Sequence, residues 1–191
     1  MANARFSIAP AYYTGSEVTP EVTVTHSGKT LVKDRDFTVT YHNNIEPSSY
    51  YNSPWVGIDG IGNYQGYVTK SFTINRADIS SYTVTLSDES LTYTGSSLRP
   101  TATVKSGDKE LTLNQDYYVS YRNNWDAGTA SAILTGTGNY TGSVTKDFTI
   151  KPLDISRYSA SLSQYSYTSD GTEKCPDVTV TYGDKTLAAG T

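Results

Sequence analysis

Apolar and polar side chains alternate in short runs along this chain. In Tyr82-Thr83-Val84-Thr85-Leu86 and again in Tyr117-Tyr118-Val119-Ser120-Tyr121-Arg122, every second residue is large and apolar. Side chains on a strand point to opposite faces in turn, so this period of two predicts half-buried β-strands and puts Tyr117, Val119 and Tyr121 on a core face. Gly, Asn, Asp and Ser punctuate the runs: Ser87–Ser90, Gly95, Ser106–Lys109, Asn123-Asn124 and Gly136–Tyr140 read as turns. Further strands follow at 99–105, entered through Pro100, and at 110–113, 130–134 and 143–150. Proline suits the start or edge of a strand, where no ladder donor is lost. No long stretch carries a helical period. The pattern is all-β: about seven short strands per 76 to 80 residues, spaced as in a small antiparallel sandwich.

The pattern repeats. Tyr13-Thr14-Gly15, Pro20, Asp36, Tyr41 and Asn43-Asn44 recur 80 residues on as Tyr93-Thr94-Gly95, Pro100, Asp116, Tyr121 and Asn123-Asn124. Gly60-x-Gly62-Asn63-Tyr64-x-Gly66, Phe72, Ile74 and Asp78-Ile79 recur 76 residues on, ending at Asp154-Ile155. The first copy therefore holds four extra residues between Asn44 and Gly60. A third copy starts near Tyr158 and covers half a period, with Pro176, Gly183-Asp184-Lys185 and Leu187 in register. The expected organisation is repeat 1 over 1–76, repeat 2 over 77–152, and the N-terminal half of a third over 153–191. The connectors, 75–82 and 151–158, each hold an Ile and a Tyr rather than a Gly/Ser linker, which predicts semi-rigid joints and an elongated rod. The half-repeat should fray, pair with another chain, or borrow its neighbour's surface.

Composition narrows the function. The chain has 191 residues, net charge −4, and no cluster of Lys or Arg, which disfavours nucleic acid as a partner. No apolar stretch is long enough to span a membrane and no secretion leader is visible, so leader and anchor are expected outside this segment. A single Cys allows no internal disulfide framework. Seventeen Tyr against four Phe suit thin domains, where a ring fills the core and its hydroxyl finds a partner.

These residues resemble a family. Tyr93-Thr94-Gly95, Pro100, Lys109-x-Leu111, Asp116-Tyr117, Ser120-Tyr121-x-Asn123-Asn124, Ala127-Gly128-Thr129, Gly136-x-Gly138-Asn139-Tyr140-x-Gly142 and Phe148-Thr149-Ile150 are similar to the tandem bacterial immunoglobulin-like repeats of Gram-positive cell-surface and adhesin proteins. The resemblance covers essentially the whole chain. It implies tandem immunoglobulin-like β-sandwich domains, an extracellular or cell-wall location, and a role as stalk or adhesin.

The differences between copies point to candidate chemistry, because the scaffold does not require them. Where the second copy has Ala127-Gly128-Thr129, the first has a Pro-flanked segment, 45–55, with Tyr50, Tyr51 and Trp55. Flat rings beside Ser and Pro are typical of recognition loops, and these three residues are the expected ligand-binding site for a host protein, with immunoglobulin as a special case, or a glycan. Trp125 is the candidate in the second copy. The competing expectation places Trp55 in the core and makes the array a spacer. No enzyme is expected, since paired carboxylates are lacking, and no cofactor or metal: His26 and His42 have no ligand-spaced partners. Asp36 and Asp116 are expected to cap turns, and Lys70 and Lys146 are candidates for an isopeptide bond.

Overall fold

The computed structural model describes residues 4–183 and 185–187. In the first unit the strands are β1 (Ala4–Ile8), β2 (Ala11–Tyr12), β3 (Val22–His26), β4 (Lys29–Thr30), β5 (Phe37–His42), β6 (Trp55–Gly60), β7 (Tyr67–Ser71) and β8 (Ile74–Asn75). They form two antiparallel sheets, β1-β3-β4 and β5-β6-β7, and a parallel pair, β2-β8. Val22, Val24 and Leu31 of the first sheet's side meet Phe37, Val56 and Ile58 of the second in one apolar core. The alternation seen in the sequence thus serves to bury one face of each sheet.

The second unit repeats the arrangement. Its strands are β9 (Ala77–Asp78), β10 (Thr83–Leu86), β11 (Ser90–Thr92), β12 (Ala102–Ser106), β13 (Lys109–Glu110), β14 (Tyr117–Arg122), β15 (Gly128–Gly136), β16 (Tyr140–Thr141) and β17 (Ser143–Lys151). One sheet is β10-β12-β13, and the other, β11-β17-β15-β14, is continuous where the first unit's is interrupted. Tyr117 is buried while Tyr118 is half exposed, in keeping with the period-two reading.

Turn chemistry explains several of the repeated polar residues. Asn43 and Asn123 hold φ of 54° and 53°, the left-handed region that Asn tolerates. Their neighbours Asn44 and Asn124 are buried and donate through Nδ2 to the carbonyls of Val18 and Leu98. Asp36 and Asp116 accept from the backbone N–H groups of Val32 and Thr112, four residues earlier. Tyr41 and Tyr121 donate from their hydroxyls to the carbonyls of Pro20 and Pro100, both at 2.6 Å, tying the two sheets together. Gly136 must lack a side chain because a Cβ there would lie 2.8 Å from the Thr141 backbone.

The first connector packs against the second unit. Only Arg76 separates β8 from β9, and β9 pairs in parallel with β16 of the second unit. Ala77 and Ile79 enter the second unit's core, and a single 3-10 turn, Ile79–Ser81, is capped by the Asp78 side chain. So most of the eight-residue connector is folded structure. Across this joint Tyr13 of the first unit packs edge-on against Tyr140 at 5.5 Å, with Lys109 Nζ 5.6 Å from the Tyr13 ring and 6.0 Å from the Tyr140 ring. A Cβ on Gly15, whose φ is +84°, would collide with Lys109 Nζ.

The third segment forms one sheet, β18 (Ser159–Leu162), β19 (Val178–Tyr182) and β20 (Lys185–Leu187), in the order β18-β19-β20. No second sheet covers it among the described residues. Its apolar positions show the consequence: Ile155 is 61% exposed where the equivalent Ile79 is fully buried.

Candidate functional site

The four-residue insertion in the first unit resolves into a single device. Ser48 occupies the place of Gly128: its N–H donates to the Ile74 carbonyl at 2.9 Å, as Gly128 pairs with Ile150 in the second unit, and its Oγ accepts from Ile74 N at 3.0 Å. Pro54, fully buried, takes the place of Ala130 and accepts from Phe72 N–H. Between these anchors the second unit needs only Thr129. The first has Ser49–Ser53 in its place, four residues more.

Ser49 and Asn52 close a tight turn through reciprocal backbone bonds, Ser49 N to Asn52 O at 2.9 Å and Asn52 N to Ser49 O at 3.3 Å. Tyr50 and Tyr51 are its tip. The turn is braced from within: Ser49 Oγ accepts from the N–H groups of Tyr51 and Asn52, and Asn52 Nδ2 donates to the Glu46 carbonyl at 2.8 Å. Weaker Nδ2 contacts reach Asn43 and Pro47. On this braced tip Tyr50 and Tyr51 are 92% and 94% exposed and touch each other edge-on at 5.0 Å. A pair of rings held in water by an ordered turn gains nothing for the fold, whereas ordering in advance lowers the entropic cost of binding.

Trp55 is not the core plug of the competing expectation. Its neighbours Pro54 and Val56 point into the core, so alternation turns Trp55 to the outer face of β6, where it is half-buried and stacks on its cross-strand partner His42 at 3.9 Å and 12°. It is therefore neither a core plug nor part of the Tyr50–Tyr51 tip. His42 was legible as a departure from the scaffold, since Arg122 stands in its place, but its role as a stacking partner needed the strand register. Trp125, 58% exposed, stands on the second unit just after Asn124, at the position of exposed Ile45.

The remaining candidates have ordinary partners. Lys70 Nζ lies over the Phe6 ring and Lys146 pairs with Glu89 at 3.0 Å. His26 meets Tyr64 edge-on, and Cys175 is exposed. Among the described residues no group of three or more His, Cys, Asp or Glu is placed to hold a metal ion. Arg35 hydrogen-bonds Asp36 and, together with the Val32 N–H, holds its carboxyl down to about 2. Burial raises the Tyr140 hydroxyl, opposed by its hydrogen bond with Lys109. No helix is long and apolar enough to cross a membrane among the described residues. Neither models of known protein families nor curated proteins match this chain.

Proposed function

We propose that this chain is a non-enzymatic, extracellular module of a bacterial cell surface, built of tandem immunoglobulin-like sandwiches, that binds a host protein or glycan through aromatic residues at its loop tips. The observation that carries this reading is the braced turn exposing Tyr50 and Tyr51, which the second unit folds without. Exposed rings on a rigid support supply contact area at low entropic cost, the usual basis of hot spots. Trp125 extends the same use to the second unit, and two weak tips on one chain would act together by avidity. Host immunoglobulin is a specialised form of this partner class.

A second reading, a spacer that projects a binding domain located elsewhere, is favoured by the one-residue joint at Arg76 and by the tyrosine and lysine contacts across it. Biolayer interferometry of the intact chain against host glycoproteins, immunoglobulins and glycans separates the two. Binding that is lost in the Tyr50→Ser/Tyr51→Ser variant supports the binding module. An intact chain that binds nothing across the panel, with both tyrosines present, leaves the spacer.

A further inference from the structure

The outward face of sheet β5-β6-β7 carries a second set of rings, apart from the turn. Along β6 the outward residues are Trp55, Gly57 and Asp59; their register partners are His42, Thr40 and Thr38 on β5 and Ser71, Thr69 and Tyr67 on β7. Tyr67 leans across the strands onto Gly57. A Cβ at Gly57 would lie 2.6 Å from Tyr67 Oη and 3.0 Å from Thr40 Oγ1, and the ring shields Gly57 while staying 55% exposed itself. Residues two apart on a strand are separated by roughly 6.5 Å, so Trp55 with its His42 stack and the Tyr67 ring lie along one short stripe.

The fold does not require this stripe. At the equivalent positions the second unit has Ser131 for Trp55, Arg122 for His42, Ile133 for Gly57 and Ser143 for Tyr67, and its Ser131 hydroxyl donates to Asp147 at 2.7 Å. Glycine in the centre of a strand weakens it, and isoleucine is the better strand former, so the first unit gives up strand propensity where the ring needs close approach to the backbone. All four differences serve the same surface.

The surface's chemistry defines its partner. It is a flat sheet face and not a concavity, so it cannot enclose a small ligand and suits an extended one. Its rings offer flat apolar faces, while Thr40, Thr69 and Ser71 add exposed hydroxyls and Asp59 the one carboxylate among these outward positions. That carboxylate and the chain's net charge of −4 oppose a polyanion. A molecule with apolar ring faces, hydroxyl edges, no charge and an extended form is a neutral polysaccharide. We infer that the outer face of the first unit's β5-β6-β7 sheet is a binding platform for a neutral glycan chain, with Tyr67 and Trp55 stacking on sugar rings and Thr40, Thr69, Ser71 and Asp59 meeting their hydroxyls. The inference rests on the reading of the first unit as a binding module, and it names a surface other than the Tyr50–Tyr51 tip.

The test is titration of the intact, isotopically labelled chain with a neutral β-1,4-linked glucose hexasaccharide, followed by NMR. The Trp55 indole and Gly57 amide signals shift saturably while the Trp125 indole stays put. Gly57→Ile, which installs the second unit's residue, and Tyr67→Ser each weaken Kd by about tenfold or more, whereas Tyr50→Ser/Tyr51→Ser leaves it unchanged. Tyr67→Ser is exposed on the outer face and keeps the test open should Gly57→Ile misfold. The inference is overturned if Trp55 and Gly57 do not respond, if the Tyr50 and Tyr51 signals alone respond, or if a sulfated oligosaccharide of the same length binds more tightly. The second of these outcomes would leave the loop-tip reading standing.

Discussion

Tyr50 and Tyr51 touch water and each other, so their removal should cost the fold almost nothing. The Tyr50→Ser/Tyr51→Ser variant is expected to unfold within about 0.5 kcal/mol of the wild type in urea, the range of ordinary surface changes. Tyr41 and Tyr121 behave in the opposite way. Each hydroxyl holds a proline carbonyl two residues ahead of a strand of the facing sheet, so Tyr41→Phe or Tyr121→Phe should cost about 1 kcal/mol by the same measurement. Asp36 adds a pH dependence. Its folded pKa is held to about 2, first by the hydrogen bond from Arg35 and then by the Val32 N–H, below the ordinary value of about 3.9. A depressed carboxyl stabilises the fold above its unfolded pKa and loses that contribution as pH falls through the folded one. The first unit should therefore lose stability between about pH 4 and pH 2, and Asp36→Asn should flatten that part of the pH profile, as read by circular dichroism melts.

Among the elements, the joint and the inserted turn show what sequence can and cannot reveal. Strand positions, inward faces and turn residues were legible because period-two alternation and Gly/Asn chemistry are local properties, as Tyr117 and Asn123 illustrate. The insertion was legible by comparing copies. That Trp55 faces outward onto His42 was not, since the direction of a side chain beside an insertion depends on where the register resumes, and it resumes at Pro54. The strand pairing that seats the joint was hidden for a related reason: β9 pairs with β16, more than sixty residues later in the chain, and no local pattern announces such a pairing. The joint also has a testable centre. Tyr13 packs on the core cluster of the second unit, so Tyr13→Ala should destabilise that unit although the change lies in the first. Lys109→Ala should loosen the joint, visible as a broader spread of residual dipolar couplings between units. Lys29→Ala, at the equivalent position of the first unit, serves as the control.

For the molecule as a whole, burial is uneven along the chain. The sheets of the first two units each face a partner, and their central valines, Val24 and Val104, are fully buried; the third segment's sheet leaves Val178 56% exposed. Hydrogen exchange should follow this division, with β18 and β19 amides exchanging faster by orders of magnitude than those of β6 or β15. Uniform protection across all three segments would refute it. One further consequence belongs to the parallel pairs β2-β8 and β11-β17, which join the beginning of each unit to its end. Tension on the two ends of a unit drives such strands past one another lengthwise, so their hydrogen bonds must fail together instead of unzipping singly. The first unit's pair is two residues long and the second's three. Of the first two units, the insertion-bearing one is thus the mechanical fuse under a steady pull, yielding while its neighbour still holds.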